Sequence, residues 1–99
     1  MARYDYYRDS SGAGYLLEVQ SELLDGLTTT VVVPLMQRTQ TPPPFKRLNP
    51  TFQIDEHAYL MATHLIAAVP RSMLQDPVGS LAAEFDTITN ALDMLFQGY

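Results

Sequence analysis

Few side chains in this sequence could carry out catalysis or bind a metal, and the best candidates surround two histidines. His57 follows Asp55 and Glu56, and His64 lies seven residues further along the chain. A zinc site needs three or four converging ligands, and a nucleophilic hydroxyl needs a base within hydrogen-bonding distance. Thr63 is the neighbour of His64, but neighbours on a strand point to opposite faces, which argues against such a pair. We therefore expect no metal site and no activated hydroxyl here.

The remaining candidate chemistry is equally limited. The adjacent carboxylates of Asp55 and Glu56 are more typical of a turn than of an acid–base pair. The sequence contains no cysteine and no glycine-rich loop of the kind that binds phosphates. These observations favour a binding protein over an enzyme, and they predict no cofactor.

Length and charge narrow the function further. The chain has 99 residues, which suits one domain over residues 1–99, and its net charge is −5. Proteins that bind nucleic acids concentrate lysine and arginine on the surface that meets the phosphates. Here the six basic residues are scattered along the chain: Arg3, Arg8, Arg38, Lys46, Arg47 and Arg71. We therefore expect no direct binding to nucleic acid.

Nothing in the sequence indicates membrane attachment or export. No apolar run approaches the ~18 residues that a membrane-spanning helix needs. The start of the chain, MARYDYYRDS, is charged and rich in tyrosine where a signal peptide would be apolar. The lack of cysteine is compatible with a reducing compartment. We expect a cytoplasmic protein without a membrane partner.

Residues 80–99 hold the clearest helical signal. Their apolar side chains recur every three or four positions and would form one buried stripe: Leu81, Phe85, Ile88, Leu92 and Leu95. Ser80 can cap the start of this helix, and Gly98 can end it in the left-handed conformation. The aromatic residues Phe96 and Tyr99 follow the last residue of this stripe. Either Phe96 caps the core while Tyr99 frays, or the two belong to a contact surface.

The rest of the chain is predicted to form short antiparallel strands. They cover residues 3–6, 15–20, 28–35, 51–54 and 58–63, with an apolar continuation at 65–69 and a possible last strand at 73–74. Three consecutive valines at 31–33 indicate burial on both faces and hence a central strand, which Pro34 should end or bulge. Because strands and helices do not alternate, a parallel sheet is not expected. The sequence predicts a mainly β fold, a small and strongly bent antiparallel sheet or barrel with one C-terminal helix.

Two connecting segments have features of their own. Leu23 and Leu24 are adjacent apolar residues beside the tight turn expected at Asp25 and Gly26. On a strand at least one of the two leucines would be exposed, but in so small a domain we expect both to tuck under the turn. The three prolines at residues 42–44 are expected to form a stiff connector.

Five segments together match a known family, in order and at matching spacing. They are EVQSELLDG at 18–26, VVVPL at 31–35, RLNP at 47–50, LMATH and AAVP at 60–64 and 67–70, and NALDMLFQGY at 90–99. None of these segments is specific alone. In combination they resemble the CcdB family of bacterial toxins over nearly the whole chain.

The resemblance implies a fold and a mode of action. The fold would be a strongly bent antiparallel sheet of SH3-barrel type with a C-terminal helix, assembled as a homodimer. The protein would be the toxin of a type II toxin–antitoxin pair, whose antitoxin wraps the dimer with a disordered segment that folds on binding. The toxin would insert between the arms of the A subunits of DNA gyrase and trap the enzyme with its DNA cleaved. It would perform no chemistry itself.

The family's gyrase contacts lie in the turn after the second strand and at the extreme C-terminus. The matching positions in this sequence are Ser21, Leu23, Leu24, Asn90, Phe96 and Gly98. Gln97 and Tyr99 belong to the same tip but depart from the pattern, in which a tryptophan precedes the penultimate glycine and an isoleucine ends the chain. The tryptophan stacks on a gyrase arginine, and Gln97 has no π face to replace it. Poisoning would then be weaker, directed at a related topoisomerase, or supported by Tyr99.

Two other functions are compatible with the same fold. MazF-type ribonuclease toxins share the barrel and the dimer, but they would need a basic groove for RNA and an acid–base pair. Only Arg38, Lys46, Arg47 and His64 are candidates for those roles, and the net charge of −5 counts against them. A degenerate relative would keep the dimer and the antitoxin but lose toxicity.

Overall fold

A computed structural model describes residues 2–10, 12, 14–38 and 45–98 of the chain. The strands are β1 (Asp5–Arg8), β2 (Tyr15–Glu18), β3 (Thr29–Gln37), β4 (Thr51–Ile54), β5 (His57–Met61), β6 (Ala67–Pro70) and β7 (Gly79–Ser80). Helix α1 spans Phe85–Gln97 near the C-terminus. Short 3₁₀ helices lie at Glu22–Leu24, Thr63–Leu65, Arg71–Met73 and Ala82–Glu84. The predicted connector at residues 42–44 lies outside the described residues.

The sheet is built around β3, the longest strand. One edge of β3 pairs with β2, while the other edge pairs first with β6 and then with β5. The order across the sheet is β4-β5-β3-β2-β1-β7, with β6 beside β3. Val32 and Val33 are buried and Val31 is half-buried. The prediction of a central strand at the three valines is therefore confirmed.

The prediction that Pro34 ends or bulges the strand is wrong, because β3 continues to Gln37. β6 pairs with β3 as far as Val32, and β5 pairs with it from Leu35 onwards. Pro34 thus lies between the part of β3 that pairs with β6 and the part that pairs with β5. Its missing N–H therefore interrupts no ladder of hydrogen bonds on that edge of β3. The carbonyl of Pro34 accepts the N–H of Ala62 there.

The sheet curls into an antiparallel half-barrel, and α1 packs against its inner face. Most of the buried apolar residues form one cluster that includes side chains from both: Tyr4, Tyr15, Leu17, Val19, Val33, Leu35, Phe52, Ile54, Tyr59, Met61, Leu81, Ile88 and Ala91. The predicted fold class, mainly β with a strongly bent sheet and one C-terminal helix, is confirmed.

Helix α1 begins later than the sequence predicts. Ser80 lies in β7, and its hydroxyl accepts the N–H of Ala82 and so caps the preceding 3₁₀ turn instead of α1. Phe85 is the first residue of α1 and is 53% exposed, whereas Ile88, three residues later, is fully buried. The prediction of a buried Phe85 is therefore wrong. The predicted end is correct, since Gly98 adopts the left-handed conformation with φ +81°.

The final strand also differs from the prediction. The predicted strand at residues 73–74 does not form, because Arg71–Met73 is a 3₁₀ helix. Pro77 has no N–H to donate, and the N–H of Val78 is the first to bond β1, at the carbonyl of Tyr6. The last strand is accordingly β7, which pairs with β1.

The burial of α1 gives a matched pair of substitutions. Ile88→Ala removes a side chain with no exposed surface and should lower the free energy of unfolding by about 2–5 kcal/mol. Phe85→Ala, on the same helix, should cost less than about 1 kcal/mol because Phe85 is mostly exposed. Urea unfolding followed by circular dichroism measures both. Equal losses for the two variants would contradict the observed orientation of the helix.

The hairpin between β4 and β5 is strained. Its two-residue loop places Asp55 at φ 49° and Glu56 at φ 70°, a type I′ geometry that favours Asn-Gly. Glu56→Gly should therefore raise the free energy of unfolding by about 0.5–1 kcal/mol, because glycine removes the steric cost of positive φ. Gln53→Gly, in the adjacent strand, should lower it by a similar amount. A loss of stability in Glu56→Gly would contradict the turn assignment.

Candidate protein-binding site

The segment after β2 presents its leucines outwards. The hydroxyl of Ser21 accepts the N–H of Leu23 at 3.2 Å, and its carbonyl accepts the N–H of Leu24 at 3.0 Å. These bonds close a 3₁₀ helix in which no residue is buried. Leu23 is 94% exposed and Leu24 is 45% exposed. The expectation that both leucines tuck under the turn is wrong, because a capped three-residue helix directs them into solvent.

The end of α1 is also exposed. Phe96 is 69% exposed, which excludes the alternative in which it caps the core. Gln97 and Gly98 are exposed beside it, and the N–H of Gly98 donates to the carbonyl of Met94 at 3.0 Å. Tyr99 lies outside the described residues.

An apolar groove joins these two segments, which are far apart in the sequence. Its volume is about 400 Å³, and it is lined by Arg3, Val19, Gln20, Ser21, Leu24, Val31, Ile66, Leu92 and Phe96. Three predicted site residues, Ser21, Leu24 and Phe96, therefore meet in one place. Leu23 projects from the same turn without lining the groove. Asn90 is exposed on α1, but it does not line the groove.

Arg3 supplies a fixed positive charge at the groove. Its guanidinium lies 4.8 Å from the centroid of the Tyr4 ring, and its Nε donates to the carbonyl of Val19 at 3.0 Å. Its backbone N–H donates to the carboxylate of Glu22 at 3.0 Å, which ties the leucine-bearing turn to the start of the chain. The groove therefore combines an apolar floor with one oriented cation.

Glu18, the neighbour of the groove residue Val19, is buried in the sheet with only 2% of its side chain exposed. Its carboxylate accepts hydrogen bonds from the hydroxyl of Tyr7 at 3.0 Å and from the hydroxyl of Thr30 at 2.7 Å. It also forms an ion pair with Arg71 at 3.0 Å. A buried charge is tolerated only when it is paired and hydrogen-bonded, and these three partners meet that requirement.

The comparisons with known proteins bear on this arrangement. The family model described as CcdB protein matches residues 3–98 of the chain. The chain belongs to the CcdB family. The family consists of toxins from toxin–antitoxin systems, and the match includes both segments that border the groove, apart from Tyr99.

Solved structures similar to this CcdB-family chain include two endoribonucleases and a toxin. An endoribonuclease from a mycobacterial species is 19% identical, with a TM-score of 0.74, over 95% of this chain and 88% of that one. An endoribonuclease solved with its cognate antitoxin matches equally well, over 92% of its own length. The Mycobacterium tuberculosis toxin MazF-mt6 is 17% identical, with a TM-score of 0.72, over 95% and 96% of the two chains. At this identity the likeness establishes the shared fold.

The basic residues considered for RNA chemistry lie in a different region. Arg38 and Lys46 line a cavity of about 190 Å³ beside Asn49. His64 lines a neighbouring cavity of about 290 Å³, and its Nδ1 lies 3.4 Å from the amide nitrogen of Asn49. The hydroxyl of Thr63 donates to a backbone carbonyl, so it is engaged away from the histidine. The structure thus divides the candidate cations and the candidate base between two cavities.

Two further points concern metal ligands and membrane-spanning helices. Within residues 2–10, 12, 14–38 and 45–98, no three histidine or carboxylate side chains converge as metal ligands would. In the same part of the chain, no helix combines the length and the apolar character needed to cross a bilayer.

Sequence reasoning missed the floor of the groove. Val19 directly follows β2 and Ile66 directly precedes β6, and neither has a pattern that distinguishes it from core residues. The pairing of Glu18 with Arg71 was missed too, because it joins residues distant in the chain. An acidic residue within the apolar run of β2 was the one available signal, since such a residue needs a partner if it is buried.

Burial of the phenol and its hydrogen bond to Glu18 raise the pKa of Tyr7. Burial of the phenol contributes most, and the hydrogen bond to Glu18 contributes next. Because the folded pKa lies above the unfolded value near 10, this contribution to stability is complete below pH 10 and is lost as the pH rises above it.

Tyr7→Phe should lower the free energy of unfolding at pH 7 by about 1.5–3 kcal/mol, the value of a hydrogen bond to a charged group. It should also reduce the loss of stability above pH 10. Tyr4→Phe is the matched control, because the Tyr4 hydroxyl lies 3.3 Å from the neutral hydroxyl of Thr89 and should cost about 0.5–1.5 kcal/mol. Urea unfolding at several pH values measures both. If wild type and Tyr7→Phe lost the same free energy of unfolding above pH 10, the raised pKa of Tyr7 would be contradicted.

Proposed function

We propose that this CcdB-family chain is a toxin that binds the A subunit of DNA gyrase and traps the gyrase–DNA complex in its cleaved state, without performing chemistry itself. The observation that carries the proposal is the groove shared by Ser21, Leu24 and Phe96. The family resemblance assigns these residues to gyrase contact from two separate segments. A surface that contacts one partner should be continuous, and the groove supplies that continuity.

The chemistry of the groove suits a protein partner. Leu23 and Phe96 are large apolar side chains, 94% and 69% exposed, on either side of it. Exposed apolar clusters of this kind mark sites of protein association, and a few such anchors dominate binding energy. Arg3 adds one cation that could meet a carboxylate of the partner. Asn90, Gln97, Gly98 and Tyr99 complete the proposed contact set at the tip of the chain.

The proposal includes two further partners. We infer a homodimer, because apolar side chains outside the groove, such as Met36, Met73 and Val78, are about half exposed and would be covered by a second copy. We also infer a cognate antitoxin, as in the related fold solved with one. The protein would act in the cytoplasm, where gyrase and DNA are found.

The second candidate function is an endoribonuclease toxin. The observation in its favour is the cavity beside Arg38 and Lys46, on a fold that named endoribonucleases share. Against it, His64 lies in a separate cavity, and a chain with net charge −5 is repelled by phosphates. A toxin that has lost activity but keeps its antitoxin is the third possibility, and Gln97 in place of tryptophan is the feature that favours it.

One pair of reactions distinguishes the three. The protein is incubated with gyrase, ATP and supercoiled plasmid, and separately with RNA. We expect linear DNA after detergent and protease treatment, because trapped gyrase leaves a double-strand break, and we expect intact RNA. Cleaved RNA with unbroken plasmid would replace the proposal with a ribonuclease. No cleavage of either substrate would favour the inactive relative.

The departure at Gln97 gives a gain-of-function prediction. Gln97→Trp supplies an aromatic face that can stack on an arginine of the partner, worth about 0.5–2 kcal/mol, or roughly 2- to 30-fold in affinity for the gyrase A subunit. Thermal stability should be unchanged, since residue 97 is exposed. Isothermal titration calorimetry measures the affinity. Gln53→Trp, an exposed glutamine on β4, is the control and should leave binding unchanged. Weaker binding by Gln97→Trp would contradict the role of the C-terminus.

A further inference from the structure

Four hydrogen bonds connect Arg71 to a buried carboxylate in the sheet and to the second half of one surface segment. Its Nη1 pairs with the buried carboxylate of Glu18 at 3.0 Å, and its Nη2 lies 3.4 Å from the carboxylate of Asp25. Its Nε donates to the carbonyl of Leu27 at 3.0 Å. Its backbone N–H donates to the carbonyl of Thr28 at 2.9 Å. One side chain thus connects the interior of the sheet to the segment that carries the exposed leucines.

That segment, residues 22–28, is not held by burial. All seven of its residues are exposed. Bonds within it fix its local shape, including Leu24 N–H to the Ser21 carbonyl and Leu27 N–H to the Leu24 carbonyl. Such bonds set the curvature of the turn but not its direction relative to the sheet. An exposed segment of this kind opens readily unless polar anchors hold it. The backbone N–H of Arg3 holds its first residue, Glu22, and Arg71 holds its second half.

We propose that Arg71 is a positioning residue of the gyrase-binding surface. It holds residues 22–28 in the orientation in which Leu24 lines the groove and Leu23 projects beside it. The inference rests on the proposed function, because it assigns Arg71 a role in presenting the same surface. Arg71 is not itself part of the groove lining.

The geometry requires arginine in particular. Glu18, Asp25 and the Leu27 carbonyl lie in three directions from the guanidinium, and a planar fork with several donors can reach all three at once. A lysine ammonium in its place would remain a cation for Glu18 but could not span the other two acceptors. Because only 15% of the Arg71 side chain is exposed and its Glu18 partner is buried, its direction is set from inside the sheet.

Arg71→Lys is the test, with two readouts on the full chain. We expect the amide hydrogens of Leu23 and Leu24 to exchange about tenfold faster than in wild type, since the segment loses the guanidinium's bonds to Asp25 and Leu27. We expect affinity for the purified gyrase A subunit to fall about tenfold. Arg8→Lys is the matched control, because Arg8 is an exposed arginine that lies over the Tyr15 ring, away from the groove, and it should change neither readout. Unchanged exchange or unchanged affinity in Arg71→Lys overturns the proposal.

A double-mutant cycle with Leu23→Ala separates this inference from the proposed function. In wild type, Leu23→Ala should weaken gyrase binding, and in the Arg71→Lys background its effect should be much smaller, because the leucine is no longer held in place. If Leu23→Ala weakens binding equally in both backgrounds, the gyrase assignment stands and the role of Arg71 is wrong. If Leu23→Ala is silent in wild type, the turn is not the contact and both claims fail.

Asp25→Asn is the second test variant, to be used if Arg71→Lys does not fold. It weakens the outer anchor while leaving the bond between Arg71 and Glu18 intact, and its site is 47% exposed, so folding should be preserved. We expect about threefold faster exchange at Leu23 and Leu24 and a similar loss of gyrase affinity. Identical exchange and affinity in Asp25→Asn and wild type would overturn the proposal.

Discussion

The carboxylate of Glu18 is the polar constraint that organises the structure. A charge inside a sheet is costly unless it is paired and hydrogen-bonded, and removing one partner of a buried ion pair costs about 3–5 kcal/mol. Tyr7 from β1, Thr30 from β3 and Arg71 from the segment after β6 converge on it. Three separate parts of the chain are thereby required to meet at one place on β2. The apolar core fills the inside of the half-barrel, whereas this cluster fixes how the strands and the following segments are joined.

The consequence for function lies at the surface. Arg71 extends from the buried cluster to the turn that bears Leu23 and Leu24, and Arg3 binds the same turn from the other side. Helix α1 is held against the sheet by Ile88 and Ala91, which places Phe96 across the groove from that turn. An exposed apolar surface made of two distant segments can thus be rigid without being buried. Preorganisation of this kind reduces the entropy lost when a partner binds.

The sequence predicts the elements that depend on local pattern and misses those that depend on distant pairs. Three valines identify the central strand, and Gly98 identifies the end of α1, because burial on both faces and a left-handed residue leave local signals. Phe85 is predicted to be buried because it continues the apolar period, but periodicity does not show that α1 begins at this residue and leaves its side chain mostly exposed.

The site is predictable to a similar degree. Leu23 and Phe96 are recognisable as apolar residues beyond the needs of the core, although exposure of both leucines was not expected. Their convergence on one groove, with Val19 and Ile66 as its floor, depends on how the sheet curls. Glu18 and Arg71 are 53 residues apart in the sequence, so spacing does not indicate their pairing, and the one signal is an acidic residue in an apolar run.

The most direct test of this account is the footprint of the gyrase A subunit on the protein, measured by amide hydrogen exchange with and without the subunit. We expect simultaneous protection of the turn at Leu23 and Leu24 and of the end of α1 at Phe96, Gln97 and Gly98. Protection confined to one of these segments, or centred on Arg38 and Lys46 instead, would contradict the claim that two distant segments form a single gyrase-binding surface.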